Sequence, residues 1–269
     1  MATRQSRLKD AVPACIKRGL LRSVRNDILF KMFSAENLFK SYHDKPAVNG
    51  LSLKVEKGEI VGLLGPNGAG KTTTFYLLVG WLRPDRGSVR LNDKAITRLP
   101  MYRRARLGLG YLPQEPSVFR KLTVEDNLTA VLQFQPLSAG EQKRRRLEVL
   151  EKMGLTPLSG QIAGTLSGGE RRKVEIARSL VLNPSYLLLD EPFSGIDPIT
   201  IEDIRGIIRN LARSGIGILI TDHNVRETLS ITDRSYLVFQ GKILISGSGP
   251  ELVNNPAARR FYLGDTFTL

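Results

Sequence analysis

The 269-residue chain has one cysteine, which excludes an internal disulfide and cannot by itself hold a structural zinc. It lacks long apolar runs: the longest, residues 75–82, stops at Arg83, well short of the ~20 residues that span a bilayer. The first 31 residues are not expected to act as a secretory leader, since their longest uncharged stretch, 11–16, is too short for an apolar signal core. Acidic residues are scarce beside basic ones, 26 against 40, giving a formal charge of +14. What is present is ordinary globular usage, 41% hydrophobic and 25% charged, enough for a packed core, and the length fits one large domain or one domain with appended subdomains.

The basic excess fits a polyanion partner, an acidic membrane surface or a solvated shell. Its distribution is uneven, because residues 1–31 carry +6 and all the rest +8. In that arm Leu8, Val12, Ile16, Leu20, Val24 and Ile28 recur every four residues, which gives a basic amphipathic helix interrupted by Pro13. A transit peptide or membrane-surface helix is one reading. The reading adopted is a flexible extension or a start-site artefact, with the folded chain beginning at Met32.

From Met32 onward the pattern predicts strands. Leu51, Leu53 and Val55 alternate with Ser52, Lys54 and Glu56, and a strand at 88–91 follows the turn Pro84-Asp85-Arg86-Gly87. Buried strands are expected at 59–64, 109–112, 186–189, 216–220 and 236–239. Helical periodicity lies between them, notably Ile201, Ile204, Ile207, Ile208 and Leu211. Alternating strands and helices imply a mainly parallel α/β sheet. Residues 119–165 show no strand signal and read as a helical insertion. Its helix at 141–152 should turn Leu147, Leu150 and Met153 inward, with the Lys143-Arg144-Arg145-Arg146 run on a solvated face.

The sharpest chemical signal is Gly65-Pro66-Asn67-Gly68-Ala69-Gly70-Lys71-Thr72-Thr73, which fits the phosphate-loop pattern G-x-x-x-x-G-K-[ST] between a strand and a helix. Backbone N–H groups there curl around phosphate oxygens and the helix start adds a positive dipole end. Lys71 brings a point charge, and Thr72 offers a hydroxyl to Mg²⁺. A second buried strand ends in Asp190 and Glu191, at the carboxyl edge where such sheets bind ligands. Asp190 is expected to hold the metal through water, and Glu191 to orient or deprotonate the attacking water. Gln114, just past a strand, could reach the metal or the water. His223, just past another, could donate to the γ-phosphate. Residues 166–180 (LSGGERRKVEIARSL) put Ser167 at the N-cap of a basic helix, a second anion-binding helix start that one nucleotide does not obviously need.

This ordered set, GPNGAGKTT, Gln114, LSGGE, LLLDE, Ser194-Gly195-Ile196-Asp197 and His223, resembles the ATP-binding cassette ATPases over about residues 33–269. The resemblance implies a single P-loop NTPase domain over 32–269. It would combine a mainly parallel sheet with an N-terminal antiparallel β subdomain, an inserted helical subdomain at about 119–165 and a C-terminal tail at about 250–269. It implies ATP and Mg²⁺ as ligands and a head-to-tail homodimer. In that dimer Ser167, Gly168 and Gly169 of one copy close on ATP held by the phosphate loop of the other. It further implies that Tyr42 stacks on adenine and that Asp197 links the two sites. The loop reads SGID where many relatives have SALD, a departure treated as tolerated.

A narrower resemblance lies in RARLGLGYLPQEPSVFRKL, EPFSGIDP, LITDHNVRETL and the RRFYLGDTFTL ending, which look like the ATPase subunits of lipopolysaccharide exporters. Branched-chain amino-acid importer ATPases are the nearest rival. The resemblance implies integral membrane subunits docking near Phe119 and Arg120, lipopolysaccharide as cargo, and a place on the cytoplasmic face of the inner membrane. No nucleic-acid partner is expected, because Lys71 and Ser167 are only 96 positions apart, with no sustained heptads between them.

Overall fold

Alternation of apolar and polar residues builds the first sheet. Along β2 (Lys45–Glu56), Leu51, Leu53 and Val55 are buried while Ser52, Lys54 and Glu56 face out. β1 (Met32–Tyr42) pairs antiparallel with β2 and with β4 (Arg86–Leu91), and the two-residue β5 (Lys94–Ala95) extends the sheet to the order β2-β1-β4-β5. The computed structural model describes residues 32–264 and 266–268, so the amphipathic arm expected over 1–31 lies outside the described residues.

The second sheet is the parallel one. β3 (Ile60–Leu64), β6 (Leu109–Leu112), β7 (Tyr186–Asp190), β8 (Gly217–Thr221) and β9 (Arg234–Phe239) run parallel. β10 (Lys242–Gly247) adds antiparallel at one edge, giving the order β10-β9-β3-β8-β7-β6. β7 and β8 are buried along their whole length, as a strand covered on both faces must be. Tyr186, Leu188 and Leu219 point into a core shared with Phe33, Leu53 and Val89 of the first sheet. Leu187, Leu189, Ile218 and Ile220 point the other way, into a core made by helices.

Those helices are α1 (Lys71–Val79), α2 (Met101–Arg106), α3 (Val124–Leu132), α4 (Ala139–Lys152), α5 (Gly168–Leu180), α6 (Pro198–Arg213) and α7 (Val225–Ile231), followed by α8 (Gly249–Asn254) and α9 (Pro256–Ala258). Thr123 caps α3, and Ser138 with Glu141 makes a capping box on α4. Val124, Leu128 and Leu132 of α3 and Leu150 of α4 join the same apolar cluster as Leu187 and Leu189, so the 119–165 block packs onto the parallel sheet. The chain's last segment seals the far side of β3 and β9, where Leu252, Val253 and Ala258 meet Leu64 and Leu237. Among the described residues no helix is long and apolar enough to cross a membrane.

Three local expectations differ from the structure. Leu147 is 48% exposed; the inward positions of α4 are Val149 and Leu150, with Met153 just past its end, and that phase leaves Leu147 at the rim. The Lys143-Arg144-Arg145-Arg146 run is only half solvated. Arg145 reaches the Val181 carbonyl and Arg146 the Thr129 hydroxyl, clipping α4 to its neighbours. β10 was not expected, because Lys-Ile-Leu-Ile-Ser lacks a period of two and its Leu244 is exposed, as an edge strand permits.

Candidate nucleotide-hydrolysis site

β3 delivers the chain into the glycine loop and α1 carries it away. Gly70, at the N-cap of α1, has φ 101°, and a Cβ there would stand 2.3 Å from the Ala47 carbonyl oxygen, so only glycine fits. No side chain caps this helix start. Its first N–H groups therefore remain available to an anion, the condition a phosphate site requires. Lys71 is buried and folds back over the loop, its Nζ donating to the carbonyls of Gly65 (2.6 Å) and Pro66 (3.0 Å). Burial lowers its pKa, against the opposing pull of Glu191 and Asp190 nearby. Ala69 is buried, while Asn67, Gly68 and Thr72 are exposed on the open side and Thr73 is half-buried.

β7 and β8 lie side by side with Asp190 opposite Thr221, and that register brings the residues just beyond each strand together. His223 Nε2 lies 2.5 Å from Glu191 Oε2. That oxygen is buried and accepts no aligned hydrogen bond. Glu191 has φ 49°, a conformation costing of order 1–3 kcal/mol in a residue with a side chain. The surroundings enforce it: the Glu191 N–H donates to Thr221 O (2.7 Å), and Arg172 Nη2 donates to Glu191 O (2.8 Å). Asp222, buried, accepts from Phe193 N and Asn224 N (2.9 Å each), tying the chain after Glu191 to the His223 loop.

Asp190 is also buried, with the Tyr111 hydroxyl donating to its Oδ2 at 3.4 Å. Burial first, and the Glu191 charge second, push its pKa up to about 6. A raised carboxylate pKa means that ionisation opposes folding: the penalty is absent below the unfolded pKa near 4, grows up to about 6 and is complete above it. Asp190→Asn should therefore raise the melting temperature of the nucleotide-free protein more at pH 8 than at pH 4.5, by an amount equivalent to about 1–3 kcal/mol. Scanning calorimetry at the two pH values checks this.

Two adjacent buried acids, Asp190 and Glu191, suit a cation. Among the described residues no group of three His, Cys, Asp or Glu could hold a transition metal. The Thr72 hydroxyl, an Asp190 carboxylate and the Gln114 amide are hard oxygen donors that leave positions for phosphate and water, which fits Mg²⁺.

Residues not anticipated from sequence splint this site. On α5, Arg172 and Glu175 form a buried pair at 3.0 Å. The Arg172 guanidinium also donates to the carbonyls of Pro113, Asp190, Glu191 and Pro192. Glu175 accepts from the N–H groups of Ser117 and Val118. One turn further along, Arg178 donates to Ser117 O and lies 4.3 Å over the ring of Phe119. One stripe of α5 thus grips Pro113, Ser117, Val118 and Phe119. Glu175→Ala would strip the buried Arg172 guanidinium of its counter-charge and the Ser117 and Val118 N–H groups of their acceptor, and should cost about 3–5 kcal/mol in a urea unfolding titration.

Ser167 is the N-cap of α5 with a full capping box to Glu170, and Ser167 and Gly168 are exposed. Gly169 is buried against Thr200, which hydrogen-bonds to Asp197, the N-cap residue of α6. The LSGGE start and the 194–197 loop therefore form one surface. Tyr42, 45% exposed, ends β1, and Gln114 stands exposed beyond β6. Phe119 is 44% exposed, so it is not buried under the helical block, and Arg120 beside it is exposed too.

A family profile described as ABC transporter matches residues 48–194. The chain is 54% identical to the lipopolysaccharide export system ATP-binding protein LptB of Acidithiobacillus ferridurans, over 89% of this chain and 99% of that one. It is 52% identical to the LptB protein of Escherichia coli (strain K12), over 88% and 98%. Among solved structures, a nucleotide-free ATP-binding cassette from an ABC transporter superposes with a TM-score of 0.78 at 29% identity, covering 87% of this chain and 99% of the other. An ADP conformation of such a cassette matches equally, at 0.78 and 29% with the same coverage.

Proposed function

The chain belongs to the ABC transporter ATPase family, and from that premise we propose that it is the ATP-hydrolysing subunit of the machine that extracts lipopolysaccharide from the inner membrane and exports it toward the outer membrane. Likeness to lipopolysaccharide export subunits over nearly their whole length carries the choice of cargo. The ATPase motifs themselves are blind to cargo. Purifying the chain with its membrane subunits and identifying the co-purified lipid by mass spectrometry tests this. Lipopolysaccharide is expected, whereas a complex that instead transports an amino acid contradicts the reading.

The chain works as one ATPase domain over residues 32–269. Gly65, Pro66, Asn67, Gly68, Ala69, Gly70, Lys71, Thr72 and Thr73 cradle the triphosphate, with Tyr42 against the adenine. Thr72, Gln114 and, through water, Asp190 would hold Mg²⁺, whose chemistry there would be to neutralise charge on the outer phosphates. Glu191 orients the attacking water and takes up its proton on the carboxylate whose Oε2 lies 2.5 Å from His223 Nε2. His223 donates toward the γ-phosphate, and Gln114 reaches toward the metal or the attacking water.

The observation behind the mechanical half is the exposed start of α5, where Ser167 and Gly168 face outward and the Ser167–Glu170 box leaves the N–H groups of Gly168 and Gly169 to an anion. Two copies arranged head to tail would each lend Ser167, Gly168 and Gly169 to the other's ATP, with Asp197 at the seam. These contacts exist only in the closed dimer, so ATP favours closure and hydrolysis releases it. Membrane subunits docked at Phe119 and Arg120 on the cytoplasmic face move with that cycle, since Arg178, Glu175 and Arg172 join the docking segment to α5 and to the backbone of Glu191.

A further inference from the structure

Arg104, on α2, is 1% exposed, the largest fully buried side chain among the described residues, and no step of the mechanism uses it. Its guanidinium donates to four carbonyls: Leu77 (2.8 Å) and Leu78 (2.6 Å) through Nη1, Thr97 (2.9 Å) through Nη2 and Leu99 (2.9 Å) through Nε. No carboxylate among the described residues pairs with it, and burial alone pulls its pKa down to about 10, so it stays charged at neutral pH. A buried cation without a counter-ion is costly. Here the compensation comes from the end of a helix: Leu77 and Leu78 lie in the last turn of α1, where carbonyls lack intrahelical partners and carry partial negative charge. The neighbouring Tyr76 carbonyl is taken by the N–H groups of Gly80, Trp81 and Leu82, which leaves these two to the arginine. Gly80 makes room, because a Cβ there would stand 2.5 Å from Arg104 Nε.

The other end of α1 is the phosphate loop. A nine-residue helix is too short to hold itself, so its position depends on what anchors its ends. We propose that Arg104 is a positioning residue for nucleotide binding: it pins the trailing end of α1 to the 97–99 segment, and so fixes where Lys71 and Thr72 stand at the leading end. This rests on the reading that ATP sits at residues 65–73.

Arg104→Lys tests it, since an ammonium keeps the charge and the stem but cannot present the planar fork to four carbonyls at once. Steady-state ATPase assays should show KM for ATP raised about tenfold with kcat within about twofold, the pattern of lost uniform binding. Arg104→Met should raise KM at least as far; where it does not fold, Arg104→Lys carries the test. KM for ATP unchanged in Arg104→Lys, whether or not the melting temperature falls, reduces Arg104 to a fold-stabilising residue and overturns the proposal. Lys71→Ala measured alongside separates the two levels. Lost ATP binding there with unchanged KM in Arg104→Lys rejects only the role of Arg104. Retained ATP binding in Lys71→Ala rejects the nucleotide site beneath it.

Discussion

Glu191→Gln is expected to lower steady-state ATP turnover about 10²- to 10⁴-fold, the range typical of general-base assistance, while leaving ATP binding intact. The side chain keeps its shape, and its backbone stays clamped by Arg172 and Thr221. The amide cannot accept the proton of the attacking water. The same change removes the charge that helps push up the Asp190 pKa, so the nucleotide-free variant should melt no lower than the parent. That pairing separates lost chemistry from lost fold. A variant turning over at near-normal rate would mean that another group activates the water.

Lys71→Ala is expected to weaken ATP binding about 10- to 100-fold, the scale of one or two charge-assisted hydrogen bonds, in a fluorescence titration with a labelled nucleotide. Two effects combine. The point charge facing the outer phosphates is gone, and the Gly65 and Pro66 carbonyls that Lys71 Nζ holds in the nucleotide-free protein are released. Glu191→Gln and Lys71→Ala should therefore fail differently, one at turnover and one at binding. Unchanged affinity in Lys71→Ala would contradict the role given to the loop.

Much of this site is readable in the primary structure because its chemistry is carried by backbone or by position relative to a strand. The phosphate loop needs glycines at set spacing and a helix start, both local features. Asp190 and Glu191 follow a buried apolar run, so their place at the carboxyl edge follows from the strand. His223 could be nominated but not paired with Glu191, since that contact depends on β7 and β8 being neighbours in register. Arg172, Glu175 and Arg104 were invisible for a different reason. In LSGGERRKVEIARSL and RRARL, charged residues read as solvated helix faces, and only tertiary packing buries these three against carbonyls and N–H groups distant in sequence. The same limit misplaced Leu147, whose spacing from Leu150 is correct for a shared stripe while the buried part of α4 begins only at Val149.

The account stands on two copies closing over ATP, and light scattering on Glu191→Gln tests that most directly. With Mg²⁺ and ATP the mass in solution should double from that of one chain, and it should not when Ser167 and Gly168 are replaced by bulky residues in the same protein. A mass that stays at one chain, in a protein whose parent hydrolyses ATP at full rate under the same conditions, would contradict it.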